Sequence, residues 1–166
     1  MRTNGCPWDA ETCTAAAMYG QLETLRWARE NGCDWDDRTC FHAAGGGHLE
    51  VLQWLRAEGC PWNAETCKFA AFNGHLETLR WARENGCDWD ADTCSFYASY
   101  GGYLEVLEWL RAEGCPWDYK TCHHAVNQGH VEVLRWAREN GCLWTAATRN
   151  QAAQELGYTD DLGNLV

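Results

Sequence analysis

Two helical patterns alternate along the chain, each closed by a glycine. From Asn63 the sequence runs Ala64-Glu65-Thr66-Cys67-Lys68-Phe69-Ala70-Ala71-Phe72-Asn73, rich in small side chains, and stops at Gly74. The Asn63 side-chain oxygen can accept from the free N–H groups of a first turn, so this spacing predicts a helix of about eight to ten residues. Asp9, Asp36, Asp90 and Asp118 hold the same capping place elsewhere. A second helix is predicted from His75 to Asn85. Its Leu76, Leu79, Trp81 and Ala82 cover more than one face, as expected of a helix packed between neighbours. Glu77 in its first turn and Arg83 in its last complement the helix dipole. Gly86 suits the left-handed position that ends a helix, with Cys87 as the apolar contact beyond it. Each helix pair leaves its sides uncovered, so stacking has to complete the core.

The pairs repeat. Gly-Cys occurs at Gly5-Cys6, Gly32-Cys33, Gly59-Cys60, Gly86-Cys87, Gly114-Cys115 and Gly141-Cys142, in steps of 27 residues with a single step of 28. The extra residue lies between Cys94 and Gly102, which lengthens the first helix of that copy. A longer period rides on this one: Leu22 to Cys40 matches Leu76 to Cys94 except at Asp37/Ala91 and Arg38/Asp92. The chain thus reads as one domain, 1–166, with repeats at about 6–32, 33–59, 60–86, 87–114 and 115–141 and a C-terminal cap at 142–166. Arg2-Thr3-Asn4-Gly5 mimics the end of a second helix. Thr145 to Ala153 follows the first-helix pattern with Arg149 where Cys should stand, as in a capping half-repeat, and 159–166 is expected to add a short helix.

Composition narrows the function classes. A formal net charge of −11 argues against nucleic acid or an anionic membrane as partner, because both demand a positive face. No apolar run approaches the ~18 residues of a membrane span. Met1 to Gly5 shows no secretory signal, so the expected location is cytoplasmic. Eleven Trp offer a core without staples, since a fully buried Trp contributes roughly 4–6 kcal/mol as an upper estimate.

The stretch Thr39-Cys40-Phe41-His42-Ala43-Ala44, followed by Gly47-His48-Leu49-Glu50-Val51 and closed by Gly59, resembles the ankyrin-repeat family. It is similar to that family's Thr-Pro-Leu-His opening, paired alanines, Gly-His-Leu-Glu-Val join and closing Gly. Cys stands for the Pro, and the 27-residue period is shorter than the ~33 of the family. The missing residues fall between Gly59 and Thr66, where the family projects a β-hairpin finger. The resemblance therefore implies an all-α, ankyrin-like α-solenoid of about five helix-loop-helix repeats plus the capping half-repeat. It also implies a non-enzymatic role in binding another protein, and a structural duty, tying loop backbone, for His42 and His124.

Eleven Cys raise the question of metal or redox chemistry. Neighbours such as Cys33 and Cys40 are seven apart, wider than the two-to-four spacing of most zinc ligand pairs. Packing in small apolar slots is the favoured reading, with no metal and no cofactor. A cross-repeat ladder of Cys with the recurring His48, His75 and His130 is the alternative. No nucleophile, base and orienting group stand in recognisable relation, so no catalytic residue is assigned. The loop acids Asp34, Asp36, Asp37, Asp88, Asp90 and Asp92 are expected to cap helices or face solvent, and summed they favour a basic partner. The arginines of the second helices are expected to pair with Glu three or four residues away.

Contrast between constant and varying columns points to a contact surface. Gly, Cys, Trp, Leu and the paired Ala barely change between repeats, whereas the two places after each Thr-Cys, and two near the end of the same helix, vary widely. Aromatic and polar residues on such a face suit partner binding. The candidates are Phe41, His42, Lys68, Phe69, Phe72, Phe96, Tyr100 and His123, with the pairs Phe69/Phe72 and Phe96/Tyr100 expected side by side. Three readings remain open: an interaction module, monomeric or part of a longer array; a cysteine-rich metal-binding or redox-responsive array; and an engineered scaffold, which the divergence between copies disfavours.

Overall fold

The computed structural model describes residues 10–158, and within them every side chain except those of 91–94. The expected cap at Asp9, the helix end at 2–5 and the terminal helix at 159–166 lie outside the described residues. Eleven α-helices follow one another: α1 (Ala10–Met18), α2 (Leu22–Glu30), α3 (Asp37–Gly45), α4 (Leu49–Ala57), α5 (Ala64–Phe72), α6 (Leu76–Glu84), α7 (Ala91–Gly101), α8 (Leu104–Ala112), α9 (Tyr119–Asn127), α10 (Val131–Glu139) and α11 (Ala146–Leu156). There is no strand among the described residues, so the fold is an all-α solenoid of helix pairs. The extra residue makes α7 eleven residues long where α5 has nine. No helix among the described residues is long and apolar enough to cross a membrane.

The helices form two compact units that divide between Trp89 and Asp90. In the first, α1, α3 and α5 lie side by side, each backed by its partner α2, α4 or α6. In the second, α9 packs between α7 and α11, with α8 behind α7 and α10 behind α9. The odd-numbered helices approach closely because their contact faces are built of small residues. On α5 these are Thr66, Cys67, Ala70 and Ala71, all buried. The even-numbered helices close the core with larger groups, such as the fully buried Leu52 and Leu55 of α4 and Leu79 of α6. Each contributes ~1.5–3 kcal/mol through burial.

Helix ends follow local chemistry. Asp36, Asn63 and Asp118 each adopt extended backbone and accept from the N–H two residues on, and Thr145 caps α11 through the N–H of Thr148. At the C-terminus of α6, Gly86 takes φ 82°. Its N–H donates to the Arg83 carbonyl at 3.1 Å and the Cys87 N–H to the Ala82 carbonyl at 3.0 Å, which satisfies two orphan acceptors.

Tryptophan departs from expectation. No described Trp is buried; Trp27 is 49 % exposed and the others lie half-buried at the surface. On α6, Leu79 and Ala82 are three apart and share the buried side, whereas Trp81, two from Leu79, points elsewhere. These rings instead clad the outside. Trp35 meets Trp54, Trp62 meets Trp81 and Trp117 meets Trp136 edge to face, with centroids 5.3–5.9 Å apart. The guanidinium groups of Arg29, Arg56, Arg83, Arg111 and Arg138 lie over Trp35, Trp62, Trp89, Trp117 and Trp144 at 4.1–4.7 Å. These arginines therefore serve as cation–π lids rather than as the expected helical partners of glutamate; Arg26 with Glu23, at 3.7 Å, does keep that pattern. The core itself is leucine, valine, alanine and cysteine.

Candidate interaction surface

The buried sides of α3, α5 and α9 leave their varying positions facing outward. In the first unit this places four predicted residues together. Phe41 and Phe69 stack with centroids 4.8 Å apart, His42 lies 4.6 Å from Phe41 and 6.2 Å from Phe69, and the Lys68 ammonium sits 5.5 Å from the Phe69 ring centroid. Lys68 also pairs with Glu65, one turn earlier on α5. Gly45 lies against this cluster, where a Cβ would meet Phe69 in ordinary contact at 3.4 Å. Phe72, one turn beyond Phe69 on α5, is half-buried.

In the second unit the centre of the cluster is His124. Its ring lies 4.2 Å from Phe96, 6.1 Å from Tyr100 and 5.4 Å from His123, while Asn127 hydrogen-bonds the His123 Nε2 at 3.0 Å. Phe96, His123 and His124 line an open groove of about 510 Å³ together with Tyr119, Lys120 and residues of α11. Phe69 and Phe72 belong to one unit and Phe96 and Tyr100 to the other.

Burial depresses the pKa of both His42 and His124; a nearby Arg38 adds to the effect on the first and His123 on the second. Each ring is therefore a neutral, aromatic neighbour of phenylalanine at neutral pH. Tying of backbone falls to other histidines. The Nε2–H of His48, His75 and His130 donates to the carbonyls of Met18, Gly45 and Tyr100 at 3.0–3.1 Å, each thirty residues back in the preceding repeat. These rings lie so close to Gly20, Gly47 and Gly102 that a Cβ there would come within 2.5–2.6 Å of the imidazole Nδ1. Those three histidines are thereby committed to structure, and among the described residues no three His, Cys, Asp or Glu stand together as a metal site.

A model of ankyrin repeats in many copies matches residues 13–56 and 67–111, more than half of the chain. The chain belongs to the ankyrin-repeat family. No curated protein sequence matches it. As an ankyrin-repeat protein it carries a scaffold generally used for protein–protein interaction. Its pattern departs from the usual one in a physically coherent way: the Thr-Cys-Phe-His opening puts Cys40 in the core and aims Phe41 and His42 at the surface cluster.

His124, Tyr119 and Lys120 line the groove although comparison between repeats does not single them out as contact residues. The family resemblance assigns His124 to a loop tie, and the Tyr119 column, occupied elsewhere by Ala10, Asp37, Ala64 and Ala91, varies between repeats. The loop acids are partly engaged: Asp37 accepts from the Asn63 side chain of the next repeat at 2.7 Å, and Asp36 pairs with Arg38 at 2.8 Å.

Proposed function

We propose that this chain is a non-enzymatic interaction module that binds another protein through the varying face of its odd-numbered helices. The observation that carries the reading is the pair of aromatic–histidine clusters, Phe41/His42/Phe69 and Phe96/Tyr100/His124, mounted on a constant scaffold of alanine, cysteine and threonine. Rings held by their neighbours lose little further entropy on binding, as hot-spot anchors should. The net charge of −11 favours a partner with a basic surface, and a cytoplasmic setting agrees with the thiol-rich composition.

A displayed peptide library selected on the purified chain tests the reading. Enriched peptides should carry Lys or Arg around an apolar anchor. Phe72→Ala with Tyr100→Ala should weaken the best peptide by ~2 kcal/mol or more while the melting temperature stays put. Unchanged binding and unchanged melting would move the contact surface to the acidic loops.

A further inference from the structure

The fold brings cysteines together in a way their spacing in sequence conceals. Cys33 and Cys40, seven apart, are not the partners. Each helix cysteine instead lies against the loop cysteine twenty residues later, Cys13 with Cys33, Cys40 with Cys60, Cys67 with Cys87 and Cys122 with Cys142, and the Cys40 and Cys122 sulfurs stand 4.0 Å from the Cys60 and Cys142 carbonyl oxygens. All eight are buried. The loop thiols Cys60, Cys87 and Cys142 also donate to the carbonyl of the preceding repeat's cap residue, Asp36, Asn63 or Asp118, at 3.2–3.4 Å.

We propose that these four pairs are dithiol modification sites that hydrogen peroxide converts, repeat by repeat, into disulfides bridging each odd-numbered helix to the loop that closes its repeat. In the Cys122–Cys142 pair the two members are chemically unequal. The Cys142 thiol is lowered by hydrogen bonding from Cys122 and from the Cys122 backbone N–H, with Arg138 adding its charge, whereas Cys122 is raised by the same contact and by burial. Cys87 is lowered in the same manner by Cys67. Its pocket holds a second polar group: the Thr66 hydroxyl is completely buried, finds no nitrogen or oxygen partner, and faces the Cys87 sulfur. Donation from the helix cysteine favours the loop thiolate, which makes the loop sulfur the attacking member of the pair.

The reaction balances with peroxide as the sole oxidant. The loop thiolate attacks one peroxide oxygen; an S–O bond forms, the O–O bond breaks and hydroxide leaves, so the sulfur becomes a sulfenic acid. The helix thiol then attacks that sulfur. The S–S bond forms, the S–O bond breaks, and the hydroxyl departs with the thiol proton as water. Two thiols and one peroxide give one disulfide and two waters. Burial limits access to an oxidant little larger than water, admitted when a single repeat opens, because in a stacked array each repeat opens largely on its own.

The test uses the full reduced chain treated with hydrogen peroxide, alkylated, and mapped by mass spectrometry alongside far-ultraviolet circular dichroism. The expected result is the loss of two hydrogens per bridge, with cross-linked peptides joining Cys13 to Cys33, Cys40 to Cys60, Cys67 to Cys87 and Cys122 to Cys142, a retained helical spectrum, and full reversal by dithiothreitol. Cys142→Ser should remove the last bridge alone and leave the Cys67–Cys87 bridge in place. Retention of all thiols in the oxidised sample, scrambled partners such as Cys33–Cys40, or bridges between chains would overturn the proposal. The map of the unaltered chain decides it even where the variant unfolds.

Discussion

Gly47 sits where two constraints coincide, and replacing it measures both. Its φ of 73° is left-handed, and a Cβ there would lie 2.6 Å from Nδ1 of His75, whose Nε2–H holds the Gly45 carbonyl at 3.1 Å. In Gly47→Ala the backbone strain costs ~1–2 kcal/mol. The imidazole must also swing aside, which forfeits a hydrogen bond worth ~0.5–1.5 kcal/mol and the ring's packing, for an expected loss of ~2–4 kcal/mol. Gly59 is the control: its φ is 80°, but nothing lies within 4 Å of its Cβ position. Gly59→Ala should therefore cost only the ~1–2 kcal/mol of backbone strain. In a His75→Ala background, Gly47→Ala should fall to the same value, leaving a coupling of ~1 kcal/mol or more between the two residues. Urea unfolding followed by circular dichroism supplies each midpoint, with equal slopes as the condition for comparing them. Equal costs for Gly47→Ala and Gly59→Ala, with no coupling to His75, would refute the reading of the imidazole as a fixed strut between repeats.

Two further outcomes are expected. His42, His75 and His124 have pKa values lowered chiefly by burial, so the unfolded chain takes up protons near its ordinary 6.5 while the folded chain resists. Their stabilisation is complete above that value and is lost as pH falls through it toward the lower folded values; melting temperatures should drop as the pH is lowered through 6.5, and a flat or rising profile would contradict the burial of these rings. Asn63→Ala removes the cap of α5 and the bond to Asp37, and should cost ~1–2 kcal/mol in urea unfolding, more than an alanine at the exposed Glu77, which caps nothing.

Much of this protein was legible in its sequence because helix boundaries are local decisions. Asn63 and Asp118 at caps, Gly74 and Gly86 at left-handed ends, and the extra residue before Gly102 act within a single turn, so spacing alone located the helices and the repeats. The family resemblance rested on the same short-range features. Residue type could not tell which face a side chain takes once helices stack. Tryptophan carries a large apolar ring, yet Trp81 lies beside the buried Leu79/Ala82 stripe rather than on it, and the core went to leucine, valine, alanine and cysteine. Histidine divided its roles for the same reason: His75 reaches a carbonyl thirty residues back, while His124 is enclosed by Phe96, Tyr100 and His123. The cysteine pairs depend on tertiary structure most of all. A helix and the loop that closes its repeat are twenty residues apart along the chain, and only the return of the chain through the intervening helix brings Cys122 against Cys142.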